Sequence, residues 1–323
     1  MLRVVYGGSP QVAATILELL LRDSEMSKAT PDEQYEIVGV LTNPPTAKGR
    51  HSALVPTEVE QYARMWNAAR GTDIKVLSPE HVCAPEREEL AKLNPDIFIC
   101  FAYGHILGPK FFSLFKYGGI NIHPSILPKY RGAAPIQRAI MNGETYTGVT
   151  LMEMVDKMDA GKMYGVVSCE ISPDDNYTSL CEKIVKCAIE VTKKFLPVYL
   201  EGKLLGEEQD ESKVTFADKI LPETEKLSLD YDAKTFVNYV RGMSEEPGGY
   251  LMLNELKFKI LKAKIVDQKI DGSVGSLLIN KSVYLKLKDA VVELLEVQLA
   301  GKKKMDGRSF ANGSKHLNSI ILK

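Results

Sequence analysis

The hydrophobic pattern of this chain changes near residue 205, and that change constrains the fold more than any other feature. Before it, short strand-like runs such as Leu2–Tyr6, Tyr35–Leu41 and Thr72–Leu77 alternate with segments, such as Tyr177–Leu200, whose apolar residues recur at helical spacing. After it, apolar and charged residues alternate with period two, as in Phe258-Lys259-Ile260. The first pattern predicts a mostly parallel sheet with helices on both faces, and the second predicts a small all-β barrel.

A polar, mostly acidic stretch separates the two patterns. We therefore predict a first domain over residues 1–204, a linker over 205–212 and a second domain over 213–323, which suits a chain of 323 residues. In the first domain, the turn after the first strand, Gly7–Val12, lacks the Gly-x-Gly-x-x-Gly spacing of dinucleotide-binding turns. We therefore do not predict NAD as a cofactor.

Composition excludes several classes of protein. The five cysteines include no Cys-x-x-Cys pair, so neither structural zinc nor a disulfide framework is expected, and we predict no metal. No apolar run reaches the roughly 20 residues of a membrane helix. The N-terminal residues read as a strand and lack the layout of a signal peptide. We expect a cytoplasmic monomer without a membrane partner.

Charge is unevenly distributed along the chain. Residues 250–323 contain 14 Lys and Arg against 7 Asp and Glu, whereas the whole chain has a net charge of −1. A basic C-terminal segment on a near-neutral protein suggests a polyanionic partner for that segment. A solvated basic face is the more common explanation of such a segment when nothing else supports a partner.

The segment Gly119–His123 holds the candidate catalytic groups. In a strand, Asn121 and His123 lie on one face, and Pro124 ends the strand. An amide N–H and a protonated imidazole could both donate to a developing oxyanion, each stabilising it by about 3–4 kcal/mol. A carboxylate from Asp156 or Asp159 would orient the imidazole and favour its charged form. The alternative is that Asn121 caps a turn and His123 is an ordinary structural residue.

The wider motif favours the catalytic interpretation. The runs Asn121–His123, Ser125–Gln137, Thr147–Thr150 and Met158–Gly161 resemble the signature of 10-formyltetrahydrofolate-dependent formyltransferases. The similarity is greatest to the members that act on methionyl-tRNA, and it extends from Tyr6 to Met305. The resemblance implies a Rossmann-like catalytic domain followed by a barrel similar to an oligonucleotide-binding fold. It also implies transfer of a formyl group from 10-formyltetrahydrofolate to the α-amino group of methionine on initiator tRNA.

The same resemblance implies roles for individual residues. It makes Asn121, His123 and Asp159 the catalytic residues. Two segments match the parts of the family that bind the folate, and their residues here are Ser125, Ile126, Leu127 and Pro128, together with Phe101, Tyr103 and Gly104.

Two basic segments are candidates for tRNA binding. In the first, Arg50 matches a basic loop of the family best, and Lys48 is a second phosphate ligand. In the second, Lys302, Lys303 and Lys304 would contact backbone phosphates and make binding sensitive to salt. The alternatives are an ordinary exposed loop and a solvated run of charges.

Three rival functions remain open at this point. A formyltransferase could act on a small amine, such as an amino sugar nucleotide or glycinamide ribonucleotide, although a small substrate does not require a basic C-terminal segment. A non-catalytic tRNA-binding protein could retain the fold, although Asn121, His123 and Asp159 are all present. A folate hydrolase would pass the formyl group to water and would turn over without an amine.

Overall fold

A computed structural model of the chain describes residues 1–27, 35–48, 53–317 and 320–323. The helices are α1 Gln11–Ser27, α2 Glu58–Arg70, α3 Ala84–Ala91, α4 Pro109–Phe112, α5 Pro135–Met141, α6 Tyr177–Leu200, α7 Ala233–Gly242 and α8 Gly307–Gly313. The strands are β1 Leu2–Gly7, β2 Tyr35–Leu41, β3 Thr46–Lys48, β4 Ala53–Val55, β5 Lys75–Leu77, β6 Ile97–Cys100, β7 Gly119–His123, β8 Tyr146–Glu153, β9 Met163–Glu170, β10 Gly249–Leu253, β11 Leu256–Val266, β12 Leu277–Ile279, β13 Val283–Lys286, β14 Val291–Leu299 and β15 Met305–Asp306.

The described chain forms two compact units. The first contains Met1–Ala133, Gly148–Cys169 and Lys183–Phe216, and the second contains Ala134–Thr147, Glu170–Glu182 and Ala217–Lys323. The predicted linker, 205–212, lies within the first unit, where Glu207 bridges to Met163. The placement of the domain boundary at 205–212 stays a prediction.

A seven-stranded sheet with the order β5-β2-β1-β6-β7-β8-β9 organises the first unit. The pairs from β5 through β7 are parallel, and β8 runs antiparallel to β7. The predicted mostly parallel sheet is confirmed. Since ligands bind at the carboxyl ends of parallel strands, the edge formed by the ends of β1, β2, β6 and β7 is the place to look for a site.

Most predicted elements of this unit are confirmed, with shifts at their ends. The strand Tyr35–Leu41 and the helix Tyr177–Leu200 have the predicted bounds. The strand predicted over 72–77 begins only at Lys75. The delay has a local cause, because the Asn67 side chain accepts a hydrogen bond from the Ile74 amide and holds the preceding residues in a turn.

Aromatic packing holds β6 in place near the edge of the sheet where the parallel strands end. Phe98 lies edge-on to Phe111, with ring centroids 4.9 Å apart, and tilted against Phe115 at 5.8 Å. A Cβ on Gly7 would lie 2.3 Å from Cζ of Phe98, so only glycine permits this approach at the end of β1. The carboxyl ends of β1 and β6 are therefore held close together.

An antiparallel sheet forms the centre of the second unit, with the order β10-β11-β14-β13-β12 and β15 paired to β14. The last residues of the chain bond to both ends of this path: Met252 of β10 exchanges backbone hydrogen bonds with Lys323, and Leu322 donates to the carbonyl of Gly275 just before β12. The predicted β structure is confirmed. It is not purely β, because Phe236 and Val240 of α7 are buried in the same core.

None of the described helices is long and apolar enough to cross a bilayer. The monomeric state and the cytoplasmic location stay predictions.

Candidate active site

Strand β7 places Asn121 and His123 at the carboxyl end of the parallel strands. Both lie on one face of the strand, while Ile120 and Ile122 of the other face are fully buried. His123 ends the strand, and Pro124 follows it, because proline has no N–H for the next rung of the ladder. The strand thus presents an amide and an imidazole side by side at the edge where ligands bind in such sheets.

The imidazole of His123 has a defined orientation. Its side chain is only 3% exposed, and Nε2 lies 2.9 Å from the carbonyl oxygen of Tyr130. A carbonyl oxygen can only accept, so Nε2 carries a proton and donates it. Nδ1 then faces Oδ2 of Asp159 at 3.7 Å. Nδ1 is therefore the nitrogen available for the chemistry of the site.

Asp159 lies in the turn between β8 and β9. Its Oδ2 accepts a hydrogen bond from the backbone N–H of Gly132 at 2.8 Å, and its carboxylate is 15% exposed. The distance to His123 is that of an ion pair and is too long for a hydrogen bond. Asp156, the other candidate carboxylate, is exposed on the same turn. The structure thus brings Asp159 together with His123.

Gly161 allows this turn to pack against β8. A Cβ at Gly161 would lie 2.1 Å from the carbonyl oxygen of Glu153, which is far inside van der Waals contact. The turn also bonds to β8 through the backbone, because the N–H of Glu153 donates to the carbonyl of Lys162 at 2.9 Å. The glycine of the Met-Asp-Ala-Gly motif is therefore required for close packing of the turn that carries Asp159.

The loop after β7 contains the first predicted folate-binding segment. Ser125 is fully buried, and its Oγ donates to the carbonyl of Lys129 at 2.6 Å. Thr150 of β8 donates from Oγ1 to the carbonyl of Ser125 and accepts from the amide of Leu127. Leu127 is buried, while Ile126 and Pro128 are partly exposed. The loop is held internally, so any contact from Ile126 or Pro128 to a ligand would come from a preformed surface.

The second predicted folate-binding segment follows β6. Phe101 and Tyr103 are buried, whereas Gly104 is exposed at φ 81° with open space around its Cβ position. The hydroxyl of Tyr103 is buried and has no hydrogen-bond partner among the described residues. Burial raises the pKa of this hydroxyl, so it carries a proton that it could donate. A buried donor without a partner is uncommon and suits a polar ligand atom.

A cavity of about 410 Å³ lies further along the same loop, around α4. Its walls are mostly apolar and include Leu107 and Phe111, with Arg87 and Lys110 as charged groups. None of the predicted site residues that the structure describes lines it. In the described part of the chain, no group of three or more His, Cys, Asp or Glu side chains is arranged to hold a metal ion.

The first basic segment is only partly described. Lys48 ends β3, where its backbone pairs with Ala53 of β4. Arg50 lies outside the described residues, within 49–52.

The second basic segment is a turn between β14 and β15. Lys302, Lys303 and Lys304 are all exposed. Lys304 forms ion pairs with Glu245 at 3.1 Å and with Glu296 at 3.4 Å, and the hydrogen bond to Glu245 raises the pKa of the Lys304 ammonium. Lys302 and Lys303 form no ion pair with any described residue, so their charges remain available to a partner.

Sequence reasoning missed two buried polar residues beside Asp159. The guanidinium of Arg131 is fully buried, and Nε donates to Oε1 of Gln209 at 3.0 Å while Nη2 donates to Oε1 of Glu211 at 2.9 Å. Gln209 is 8% exposed although it lies in the predicted acidic linker. An arginine between Tyr130 and Gly132 in the central motif was the one available signal for this network.

Two sequence families match this chain. The profile described as formyl transferase matches residues 12–195, and the profile described as formyl transferase, C-terminal domain, matches residues 219–315.

Similar proteins cover nearly the whole chain. A methionyl-tRNA formyltransferase of Lactobacillus acidophilus is 34% identical over 97% of this chain and 96% of the relative. A protein of the same name from Listeria innocua is 36% identical, again over 97% of this chain and 96% of the relative. Among solved structures, an N-formyltransferase from Helicobacter canadensis, in complex with folinic acid and dTDP-3-aminofucose, has a TM-score of 0.66 at 18% identity, covering 91% of this chain and 99% of that one. At that identity the last likeness concerns the fold alone.

Proposed function

The chain belongs to the formyl transferase family, and from that premise we propose that it moves a formyl group from 10-formyltetrahydrofolate to the α-amino group of methionine on charged initiator tRNA. The observation that carries the proposal is the pairing of His123 with Asp159, 3.7 Å apart, at the carboxyl end of the strand that also presents Asn121. The names of the relatives, at 34–36% identity over nearly the full length, support methionyl-tRNA as the acceptor.

The proposed chemistry is an acyl transfer through a tetrahedral intermediate. The uncharged amine attacks the formyl carbon, the new C–N bond forms, and the carbonyl oxygen becomes an oxyanion. The bond from the formyl carbon to N10 then breaks, the amine loses one proton and N10 gains one. Asn121 and a protonated His123 donate to the oxyanion, and each such donor contributes about 3–4 kcal/mol of transition-state stabilisation.

In the proposed reaction, the two nitrogens of His123 have different roles. Nε2 is committed to the carbonyl of Tyr130. Nδ1 can therefore present a proton to the reacting atoms, and Asp159 lies beside that proton when Nδ1 carries it. The Asp159 carboxylate is thus placed beside the imidazole, where it can assist proton transfer.

The folate site of the proposal lies on the two loops after β6 and β7. The unpartnered hydroxyl of Tyr103 offers a donor, and the open position of Gly104 leaves room for a ligand beside the backbone. The loop of Ser125–Pro128 is braced by Thr150, so its surface is set before a ligand binds.

The proposed binding of tRNA rests on positively charged side chains. Lys302 and Lys303 are exposed, without an ion pair among the described residues, and suit backbone phosphates. Lys48 and Arg50 are the proposed contacts near the reacting end of the tRNA. Such contacts position the substrate, and the proposed formyl chemistry takes place in the first unit.

The test is a formyl-transfer assay with 10-formyltetrahydrofolate and five acceptor conditions. They are charged initiator methionyl-tRNA, uncharged tRNA, free methionine, a dTDP-amino sugar and no acceptor. We expect formylation of the charged tRNA alone.

Each alternative predicts a different result. Transfer to the amino sugar would indicate a small-amine formyltransferase. Folate turnover without an acceptor would indicate a hydrolase, and tRNA binding without turnover would indicate a non-catalytic protein. Any of these results would overturn the proposed acceptor or the proposed reaction.

A further inference from the structure

We infer that Gln209, together with Arg131, is a positioning residue that holds Asp159 in place for the reaction. The inference rests on the proposed function and adds to it residues outside the group that touches the substrates. We call the two side chains the Asp159 clamp.

Asp159 needs an external constraint. Its φ is 51°, in the left-handed region that few residues other than glycine adopt, and it lies in a turn between two strands. Such a backbone conformation persists when surrounding contacts determine it. A turn that relaxed would move the carboxylate away from Nδ1 of His123.

Gln209 supplies that constraint through both ends of its amide. Nε2 donates to the carbonyl of Asp159 at 2.8 Å and to the carbonyl of Gly161 at 2.8 Å, and Oε1 accepts from Nε of Arg131. Both N–H groups and the oxygen are thus used, and this orientation of the amide is the one that satisfies all three partners. Because Gln209 is buried, water does not readily replace these bonds.

Arg131 connects the clamp to both catalytic side chains. The carbonyl of its predecessor, Tyr130, accepts from Nε2 of His123, and the amide of its successor, Gly132, donates to Oδ2 of Asp159. The contacts therefore form a closed ring that runs from the Asp159 carboxylate through Gly132, Arg131 and Gln209 back to the Asp159 carbonyl. Moving Gln209 therefore disturbs the turn that carries Asp159, whereas His123 keeps its bond to the carbonyl of Tyr130.

Chemistry explains why the residue is a glutamine. A glutamate at position 209 could still accept from Arg131 but could donate nothing to the carbonyls of Asp159 and Gly161. Gln209→Glu therefore keeps one half of the clamp and removes the other. Gln209→Asn is a milder change, because it keeps the amide and withdraws it by one methylene.

The experiment is a double-mutant cycle in the formyl-transfer assay, with Gln209→Glu made in the wild type and in Asp159→Ala. In the wild type we expect kcat to fall about tenfold to a hundredfold, because a displacement on the order of 1 Å can cost that much. We expect KM for each substrate to change by less than about twofold, since substrate contacts are unaffected. In Asp159→Ala the same substitution should change kcat by less than about twofold, because the group it positions is gone.

Asn67→Leu is the matched control. Asn67 also uses its amide to hold a backbone turn, with Nδ2 donating to the carbonyl of Ile74 at 2.9 Å, but it lies in α2 away from Asp159. We expect it to lower the urea midpoint of unfolding and to leave kcat unchanged. Gln209→Asn replaces Gln209→Glu in the cycle if the latter does not fold, with a smaller loss of kcat in the same pattern.

Amide hydrogen exchange at Gly132 tests the clamp without any substrate. Its N–H bonds to Asp159, so we expect its protection to fall in Gln209→Glu and to persist in Asn67→Leu. Unchanged kcat, an equal loss of kcat in both backgrounds, or unchanged protection of Gly132 would each overturn the inference. A wild-type protein that formylates no acceptor would refute the proposed function instead, and the exchange result would still decide whether the clamp holds Asp159.

Discussion

The turn that carries Asp159 and the turn that carries Lys302–Lys304 handle charge in opposite ways. Beside Asp159, the side chains of Arg131, His123 and Gln209 are buried, at 0%, 3% and 8% exposure. The lysines of the second turn are exposed, and within the described residues only Lys304 forms ion pairs, with Glu245 and Glu296. In the proposed function, the first arrangement holds atoms in place for the reaction, and the second offers positive charge to the tRNA.

The two arrangements should respond differently to substitution. Groups that must lie at a defined distance lose their effect when the backbone moves by on the order of 1 Å. Exposed charges act over about 8–10 Å and are screened by salt, so each one contributes modestly and independently. We therefore expect substitutions near Asp159 to lower kcat strongly and substitutions of the exposed lysines to weaken binding modestly.

Replacing His123 with alanine should have the largest effect. We expect kcat for formyl transfer to fall by about a hundredfold or more, because an oxyanion donor is lost. The control is His316→Ala, since His316 is exposed in the second unit. A near-normal rate for His123→Ala, with the fold intact by circular dichroism, would remove His123 from the site.

Gly161→Ala should reduce activity next most strongly. The added Cβ would lie 2.1 Å from the carbonyl oxygen of Glu153, so the turn must move and Asp159 with it. We expect kcat to fall about tenfold to a hundredfold. Gly313→Ala is the matched control, because nothing lies within 4 Å of its Cβ position. Equal activity of the two variants would contradict the fixed geometry of the Asp159 turn.

The lysines should act through salt-dependent binding and should leave kcat unchanged. Lys302→Ala or Lys303→Ala should each weaken binding of charged tRNA and lower the slope of log affinity against log salt by about 1. Lys304→Ala should have a smaller effect, because two carboxylates already engage its ammonium. The measurement is tRNA binding at several salt concentrations. A larger effect of Lys304→Ala than of the other two substitutions would contradict this order of effects on tRNA binding.

Acid should weaken the Arg131 network slightly. Hydrogen bonds from Lys157 and Arg131 hold the pKa of Glu211 below its usual range. A lowered folded-state pKa stabilises the fold above the unfolded-state pKa of about 4.3, and that stability is lost as pH falls through the folded-state pKa. The effect should be small because the Glu211 side chain is 60% exposed. When the urea midpoint of unfolding is plotted against pH, we expect its fall at acid pH to be smaller in Glu211→Gln than in the wild type. Identical curves for the two proteins would contradict the pairing of Glu211 with Lys157 and Arg131.

The predictions from sequence were most accurate for structural features that a single local pattern determines. Period two placed Asn121 and His123 on one face of a strand, and the helical spacing of Tyr177–Leu200 predicted a helix with those bounds. The change of pattern near residue 205 predicted a small all-β barrel, and the second unit has β structure there, in an antiparallel sheet. It gave no indication that α7 shares the core of that sheet.

Long-range contacts were beyond those patterns. Asp156 and Asp159 were equivalent candidates in the sequence, and only the fold places Asp159 beside His123, 36 positions earlier in the chain. The polar neighbours of Gln209 predict an acidic linker, yet Gln209 is buried and donates to the carbonyl of Asp159.

Local sequence patterns are therefore enough to predict the kinds of secondary structure, the family and the residue types that can stabilise an oxyanion. These follow from local periodicity and from motifs that are contiguous in the chain. The tertiary structure decided which carboxylate meets the imidazole, which nitrogen of His123 is available and how Arg131 and Gln209 hold Asp159. Those features depend on hydrogen bonds between segments as much as 78 positions apart, and only the folded chain brings such segments within bonding distance.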